Sequence, residues 1–164
     1  MAKLVTSLWF SEGAEEAAAF YVSLLPESRV DSVVALPADS PAGPAGKVKV
    51  VAFTLMGRSF VGFNGGPFEP FNHAVSMMVE CEDQDELDRL WAALSERGEV
   101  ERCGWLKDRY GLSWQIVPSA LQSMMADADP TRAKRAAEAM LRMTKLDIAE
   151  LKRAYEGRDP QRKA

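Results

Sequence analysis

The sequence predicts an α+β fold of two βαβββ modules followed by C-terminal helices. Three observations lead there. Two segments that alternate apolar and polar residues, Lys3–Phe10 and His73–Glu80, recur at an offset of 70 (73 − 3), and period-two alternation marks a strand with one covered face. Each is followed by apolar residues at i, i+3, i+4 and i+7: Ala17, Phe20, Tyr21 and Leu24 first, then Leu87, Leu90, Trp91 and Leu94, the spacing of a helix with one buried side. Finally, Gly57-Arg-Ser-Phe-Val-Gly-Phe63 matches Gly111-Leu-Ser-Trp-Gln-Ile-Val117 at an offset of 54 (111 − 57).

The elements run in order along the chain. The first module is expected to use strand 3–10, helix 14–25, and strands 28–36, 47–55 and 58–64. The second is expected to use strand 73–81, helix 83–97, and strands 99–103, 104–109 and 112–118. Asp83 suits the N-cap of the second helix and Gly98 follows its end. The offset falls between the two halves of the repeat because the first module carries Pro37-Ala-Asp-Ser-Pro-Ala-Gly-Pro-Ala-Gly46, a composition that sustains neither a helix nor a central strand. Asn64-Gly65-Gly66-Pro67 closes the first module. Beyond Pro118 only helical patterns remain, at 119–126, 131–143 and 147–155, with Asp129 and Pro130 opening the second of these and Gly157 closing the third. A frayed tail is expected from Arg158 to Ala164. The chain is thus expected to hold a two-module domain over 1–118 (modules 1–66 and 67–118) and a helical extension over 119–164.

Composition excludes several function classes. The 164 residues carry a net charge of −4 with both signs interspersed, so there is no basic stripe for nucleic acid. No apolar run approaches the ~20 residues that span a bilayer, and Met1–Phe10 lacks the pattern of a signal peptide. A cytoplasmic protein with two reduced thiols, Cys81 and Cys103, is expected. One histidine, His73, cannot build a Cys/His zinc site without recruiting both cysteines and a carboxylate. No glycine-rich strand-to-helix loop of the nucleotide-cofactor type is present.

Trp9-Phe10, Phe20-Tyr21, Phe63-Asn-Gly-Gly-Pro67, Cys81-Glu-Asp-Gln84, Cys103-Gly-Trp-Leu-Lys-Asp108 through Trp114-Gln115, and Met143-Thr-Lys-Leu-Asp-Ile-Ala149 together resemble the PhnB-like branch of the vicinal oxygen chelate superfamily. That superfamily includes glyoxalase I, extradiol dioxygenases and bleomycin-resistance proteins. The branch often bears the label 3-demethylubiquinone-9 3-methyltransferase, for which the sequence offers no cofactor loop. The resemblance implies a curved mixed sheet around a cleft and a homodimer. It stops short at position 73, where related sequences carry Glu and this chain has His73.

In metal-using members of the superfamily, ligands come from the first and fourth strands of each module. Carried over by spacing, those positions are Thr6, Val61, Ser76 and Gln115. Asp108-x-x-Gly111-x-x-x-Gln115 shows the substitution most plainly, with an amide where metal enzymes place a carboxylate. The set has no imidazole and no carboxylate, whereas a divalent cation needs charged or strongly basic donors to offset its dehydration. No metal and no cofactor are therefore expected. Asp108 and Gly111 are expected only to shape the turn.

Alternation then puts Leu8, Phe10, Phe63 and Met78 on the face of those four positions, with Glu80, Ser113 and Val117. Trp9, Phe60, Val75, Met77, Val79 and Trp114 are expected in the core beneath the helices. Phe53 and Trp105 complete the candidate cleft wall. His73, three residues before Ser76, is expected on the opposite face, at the surface. The expected function is a metal-free binding protein for a small hydrophobic or mixed-polarity ligand, without nucleic-acid or membrane partners. Two alternatives stay open. One is a lyase, isomerase or dioxygenase relative using Glu80 or His73 as acid or base. The other is a structural or regulatory dimer whose helices 119–156 bind a protein partner.

Overall fold

Two four-stranded mixed sheets carry the fold in a computed structural model that describes residues 2–67 and 69–158. The chain divides into two compact units between Phe71 and Asn72. The first contains β1 (Thr6–Phe10), α1 (Ala14–Leu24), β2 (Arg29–Ala35), β3 (Lys49–Leu55) and β4 (Arg58–Asn64). The second contains β5 (Met77–Cys81), α2 (Gln84–Ser95), β6 (Glu99–Val100), β7 (Trp105–Lys107) and β8 (Ser113–Pro118), then α3 (Ser119–Met125), α4 (Pro130–Arg142) and α5 (Ile148–Tyr155). The strand orders, β1-β4-β3-β2 and β5-β8-β7-β6, are the same topology twice. In each, the first and last strands pair in parallel and the others antiparallel. The expected α+β pair of βαβββ modules with C-terminal helices is therefore what the chain forms. The part of the expected frayed tail from 159 onward lies outside the described residues.

Each unit caps its first helix differently. Gly13, left-handed at φ 75°, has no side chain to offer α1, so Asn64 Oδ1 accepts the Ala14 amide at 2.8 Å from the far end of β4. In the second unit Asp83 caps α2 locally, accepting from the Glu86 amide at 2.9 Å, while Glu86 accepts back from the Glu82 amide at 3.0 Å. The first bond satisfies an orphan donor of the helix start, and the second ties the first turn back to the residue before the cap. Next to Asn64, Trp9 Nε1 donates to the Gly66 carbonyl at 2.9 Å, and a Cβ on Gly65 would lie 2.1 Å from the indole.

Helix boundaries match the sequence reading closely, whereas several strands are shorter. β5 starts at Met77, not at 73, because Asn72 Oδ1 accepts the Ala74 amide at 2.8 Å and curls that segment into a turn. β6 and β7 are cut short by Cys103 and Gly104, both at positive φ (61° and 79°), which form the tight turn that returns the chain with Trp105 N donating to Arg102 O at 3.1 Å.

The register of the first sheet corrects one expectation. Thr6 pairs with Phe60, Leu8 with Gly62 and Phe10 with Asn64, and Phe53 pairs with Phe60. Residues paired across a sheet share a face, so Thr6, Leu8, Phe10 and Phe53 lie on the face of Phe60, opposite Val61 and Phe63. Leu8, Phe10 and Phe53 are core residues, 5%, 1% and 0% exposed, packed with Ala14, Ala17, Ala18 and Tyr21 of α1. Thr6 is exposed. The cause is one residue: two residues separate Phe10 from the Gly13 cap, whereas only Glu82 separates Cys81 from the Asp83 cap. The helices repeat at an offset of 70, but Thr6 corresponds to Met77, an offset of 71 (77 − 6). In a structure of period two, a slip of one residue exchanges the faces.

Replacing Gly65 with Ala puts a methyl group into the Trp9 ring. Thermal or urea unfolding is expected to show a loss of about 1–3 kcal/mol, and an unchanged midpoint would contradict the packing described for Asn64-Gly65-Gly66.

Candidate functional site

The turn that delivers Gln115 is built on a buried carboxylate. Asp108, 3% exposed, accepts from the amides of Tyr110 (2.8 Å) and Leu112 (3.1 Å) through Oδ1 and from the Trp114 indole (2.8 Å) through Oδ2. Gly111 takes φ 84° at the bend, a conformation costly for a residue with a Cβ. Fixing Trp114 on the core side fixes its neighbour Gln115 on the other. Asp108 and Gly111 thus have the turn-forming role expected from the sequence, and the indole bond adds a tie from the turn to the core.

In the second sheet the expected alternation holds from Met77 onward, whereas Val75, expected in the core, is exposed in the turn before β5. Met78 pairs with Gln115, Glu80 with Val117, and Trp105 with Gln115, so these side chains share a face with Ser76, just before β5. Val79, Leu106, Trp114 and Ile116 are buried on the other. Gln115 Nε2 donates to Ser76 Oγ at 2.8 Å. On this face lies a cavity of about 420 Å³, within the ~300–1,000 Å³ range of small-molecule sites. Met78, Glu80, Trp105, Gln115 and Val117 form its floor. Cys103 sits at one side, and Leu121, Gln122 and Met125 of α3 and Met140 of α4 form its roof. The sequence reading missed the roof, although Met124-Met125, Met140 and Met143, at intervals along the C-terminal helices, were a signal for an adaptable apolar wall.

The C-terminal helices are brought to this face by a clasp. The Cys103 and Gly104 amides donate to the carbonyls of Met143 and Thr144, each at 2.8 Å. Gln84 grips the same segment at both ends of its amide: Oε1 accepts from Ile148 N at 2.8 Å and Nε2 donates to Leu146 O at 3.2 Å. Lys145 pairs with Asp88 at 2.6 Å, and that contact lowers the Asp88 pKa, through the hydrogen bonds from Lys145 and then Gln84. The Cys81-Glu-Asp-Gln84 and Met143–Ala149 motifs are therefore the two sides of one packing contact.

The remaining candidates fall elsewhere. Val61 borders a hollow of about 290 Å³ with Thr54 and Ser59. Phe63 borders one of about 240 Å³ with Trp9, Val50 and the Pro41-Ala42 loop. The register also shows that Val5, not Thr6, is the counterpart of Ser76. The positions that correspond to a metal site thus carry Val5, Val61, Ser76 and Gln115: two aliphatic side chains, and a hydroxyl and an amide already bonded to each other. Such donors do not fit a divalent cation. Among the described residues, no group of three or more His, Cys, Asp or Glu side chains is placed to hold one.

His73 departs from its expected face because residues 73–76 are not strand. Its ring centroid lies 5.9 Å from that of Trp105, and Nε2 is 2.7 Å from Glu101 Oε2, with Lys107 3.7 Å from Glu101 Oε1. This pairing engages the histidine with a carboxylate, not with Cys103. Cys81 is fully buried, and burial, then the nearby Glu86 charge, pushes its thiol up to about 12; Cys103 is partly exposed.

Residues 2–117 match the family described as 3-demethylubiquinone-9 3-methyltransferase. The chain belongs to this family. Among solved structures, it is similar to a Bacillus cereus protein described as a 3-demethylubiquinone-9 3-methyltransferase, PhnB protein, at 30% identity and TM-score 0.62, covering 72% of this chain and all of that one. A similarity to protein PA1353 from Pseudomonas aeruginosa, at 22% identity and TM-score 0.52, covers 70% of this chain and 95% of that one and reflects the shared fold. Comparison with curated proteins finds no match. The PhnB-like family match ends at Val117, so the helices that roof the cavity lie beyond it. No helix among the described residues is long and apolar enough to cross a membrane.

Two outcomes are expected. Asp108→Ala strands three donors, two of them buried, and should lower unfolding stability by about 3 kcal/mol or more, measured in urea. Alkylation at pH 8 followed by mass spectrometry should modify Cys103 in the folded protein and Cys81 only after unfolding, because the thiolate is the reactive form and Cys81 is held neutral. Equal labelling of both in the native state would refute that environment for Cys81.

Proposed function

We propose that this PhnB-like protein binds a small hydrophobic or mixed-polarity molecule without a metal, in the cavity of its second unit. One observation carries the reading: a space of about 420 Å³ is lined largely by Met, Leu, Val and Trp side chains, with the amide of Gln115 held in place by Ser76. Apolar walls with a few fixed polar groups are the common composition of ligand sites. Gln115 is held by Ser76 on one side and by the Asp108–Trp114 turn beneath, so its free oxygen presents a preset acceptor to a bound molecule. The neutral set at the metal-equivalent positions supports binding without a cation. Function as a homodimer in the cytoplasm belongs to the same proposal, supported by the family resemblance and the reduced-thiol composition.

The family's methyltransferase description finds no support in the glycines of the chain. Gly65 and Gly66 are accounted for by the Trp9 indole that packs on one and donates to the other. Apart from these, no glycine-rich loop opens a helix after a strand.

The test is a thermal-shift screen of apolar and mixed-polarity metabolites, followed by calorimetry on any that stabilise. Gln115→Leu is expected to weaken a hit by roughly tenfold, the scale of one lost hydrogen bond, and Val117→Trp to abolish it by filling the cavity. Hits that bind both variants as tightly as the native chain would place the ligand elsewhere.

A further inference from the structure

Glu80 is the one charged side chain in the lining of the cavity, where the amides of Gln115 and Gln122 are neutral. Glu80 projects from β5 onto its floor, paired across the sheet with Val117, and its carboxylate has no hydrogen-bond or ion-pair partner among the described residues. Gln115 gives one N–H of its Nε2 to Ser76, and its oxygen is an acceptor for a ligand. No Lys, Arg or His lines the space. Lys107 and His73 are engaged with Glu99 and Glu101 and neither borders the cavity. The remaining wall includes the indole of Trp105 and the thioethers of Met78, Met125 and Met140, and an aromatic face and polarisable sulfurs favour a cation or an aromatic ring over an anion.

We infer that the second-unit cavity selects an organic cation: an apolar body carrying an amine or a similar positive nitrogen donor, with the nitrogen at Glu80 and the Gln115 oxygen and the body between Trp105 and the methionines. The inference rests on the binding role proposed above and adds the ligand's charge. Selection comes from two unequal terms. Apolar burial under α3 and α4 supplies most of the affinity and does not discriminate charge. The carboxylate supplies discrimination, and because Glu80 is exposed, its effect is that of a partly solvated ion pair, modest and reduced by salt. An anion of the same size meets Glu80 with like charge, with no positively charged side chain in the lining to offset it.

Three probes of one shape separate these terms: 4-phenylbutylamine, 4-phenylbutanol and 4-phenylbutyrate, titrated by calorimetry into the full-length protein at low and high salt. The amine is expected to bind about fivefold tighter than the alcohol, the carboxylate weakest, with the amine's advantage shrinking in high salt. Glu80→Gln should remove that advantage, weakening the amine several times more than the alcohol. Because Glu80 is exposed and has no hydrogen-bond or ion-pair partner among the described residues, the variant should keep the native unfolding midpoint, measured alongside. If alcohol and carboxylate bind as tightly as the amine, or Glu80→Gln leaves the amine's advantage intact, the charge selectivity is overturned while the binding role stands. If none of the three binds, or all bind equally to Val117→Trp, both fall together.

Discussion

The clasp between the Cys103-Gly104 turn and the segment after α4 is the contact on which the rest of the second unit depends. The turn presents two amides outward because both of its residues are left-handed, and those amides find the carbonyls of Met143 and Thr144. The approach is close: a Cβ on Gly104 would meet Ile116 O at 2.7 Å and the Leu146 side chain at 3.1 Å. Leu146 is wholly buried there. With Gln84 holding the far side of the same segment, α4 is anchored where Met140 reaches the open face of the sheet. Without this anchoring, the face that carries Met78, Trp105 and Gln115 has no roof and the cavity does not exist.

Repetition of one topology did not bring repetition of one solution. The second unit caps its helix with the residue next to it, and the first reaches to the end of β4 for Asn64. The longer connection changes the offset in sequence but not the faces of the sheet: Leu8 and Phe10 stand where Val79 and Cys81 stand, buried in each unit. The units differ on the other face. The second carries Met78, Glu80 and Gln115 beside its C-terminal helices, whereas the first has the Pro/Gly loop beside Trp9 and Phe63.

Chemically, the site is defined by what its acids do. Asp108 spends its charge on amides and an indole inside the fold, and Glu101 and Glu99 face His73 and Lys107. Glu80 alone of these carboxylates borders the cavity with no counter-charge. Beside it stands a neutral amide–hydroxyl pair, Gln115 Nε2 donating to Ser76 Oγ.

Much of this was legible in the sequence. The repeat, its element order, the helix caps at Asp83 and Asp129, the turn at Asp108 and Gly111, and the shared face of Ser76, Met78 and Gln115 all derive from local rules of period, capping and turn chemistry, which depend on neighbours a few residues away. The faces of β1, the turn that takes His73 out of β5, and the roof of the cavity were decided by the tertiary structure. Each hangs on a distance the sequence does not encode locally. One is the register of β1 against a strand more than fifty residues later, another the side-chain bond by which Asn72 ends a strand pattern before it starts. The last is the seating of residues 143–148 on Gln84 and Gly104. Alternation says that two residues share a face, but only pairing across the sheet says which face it is and what covers it.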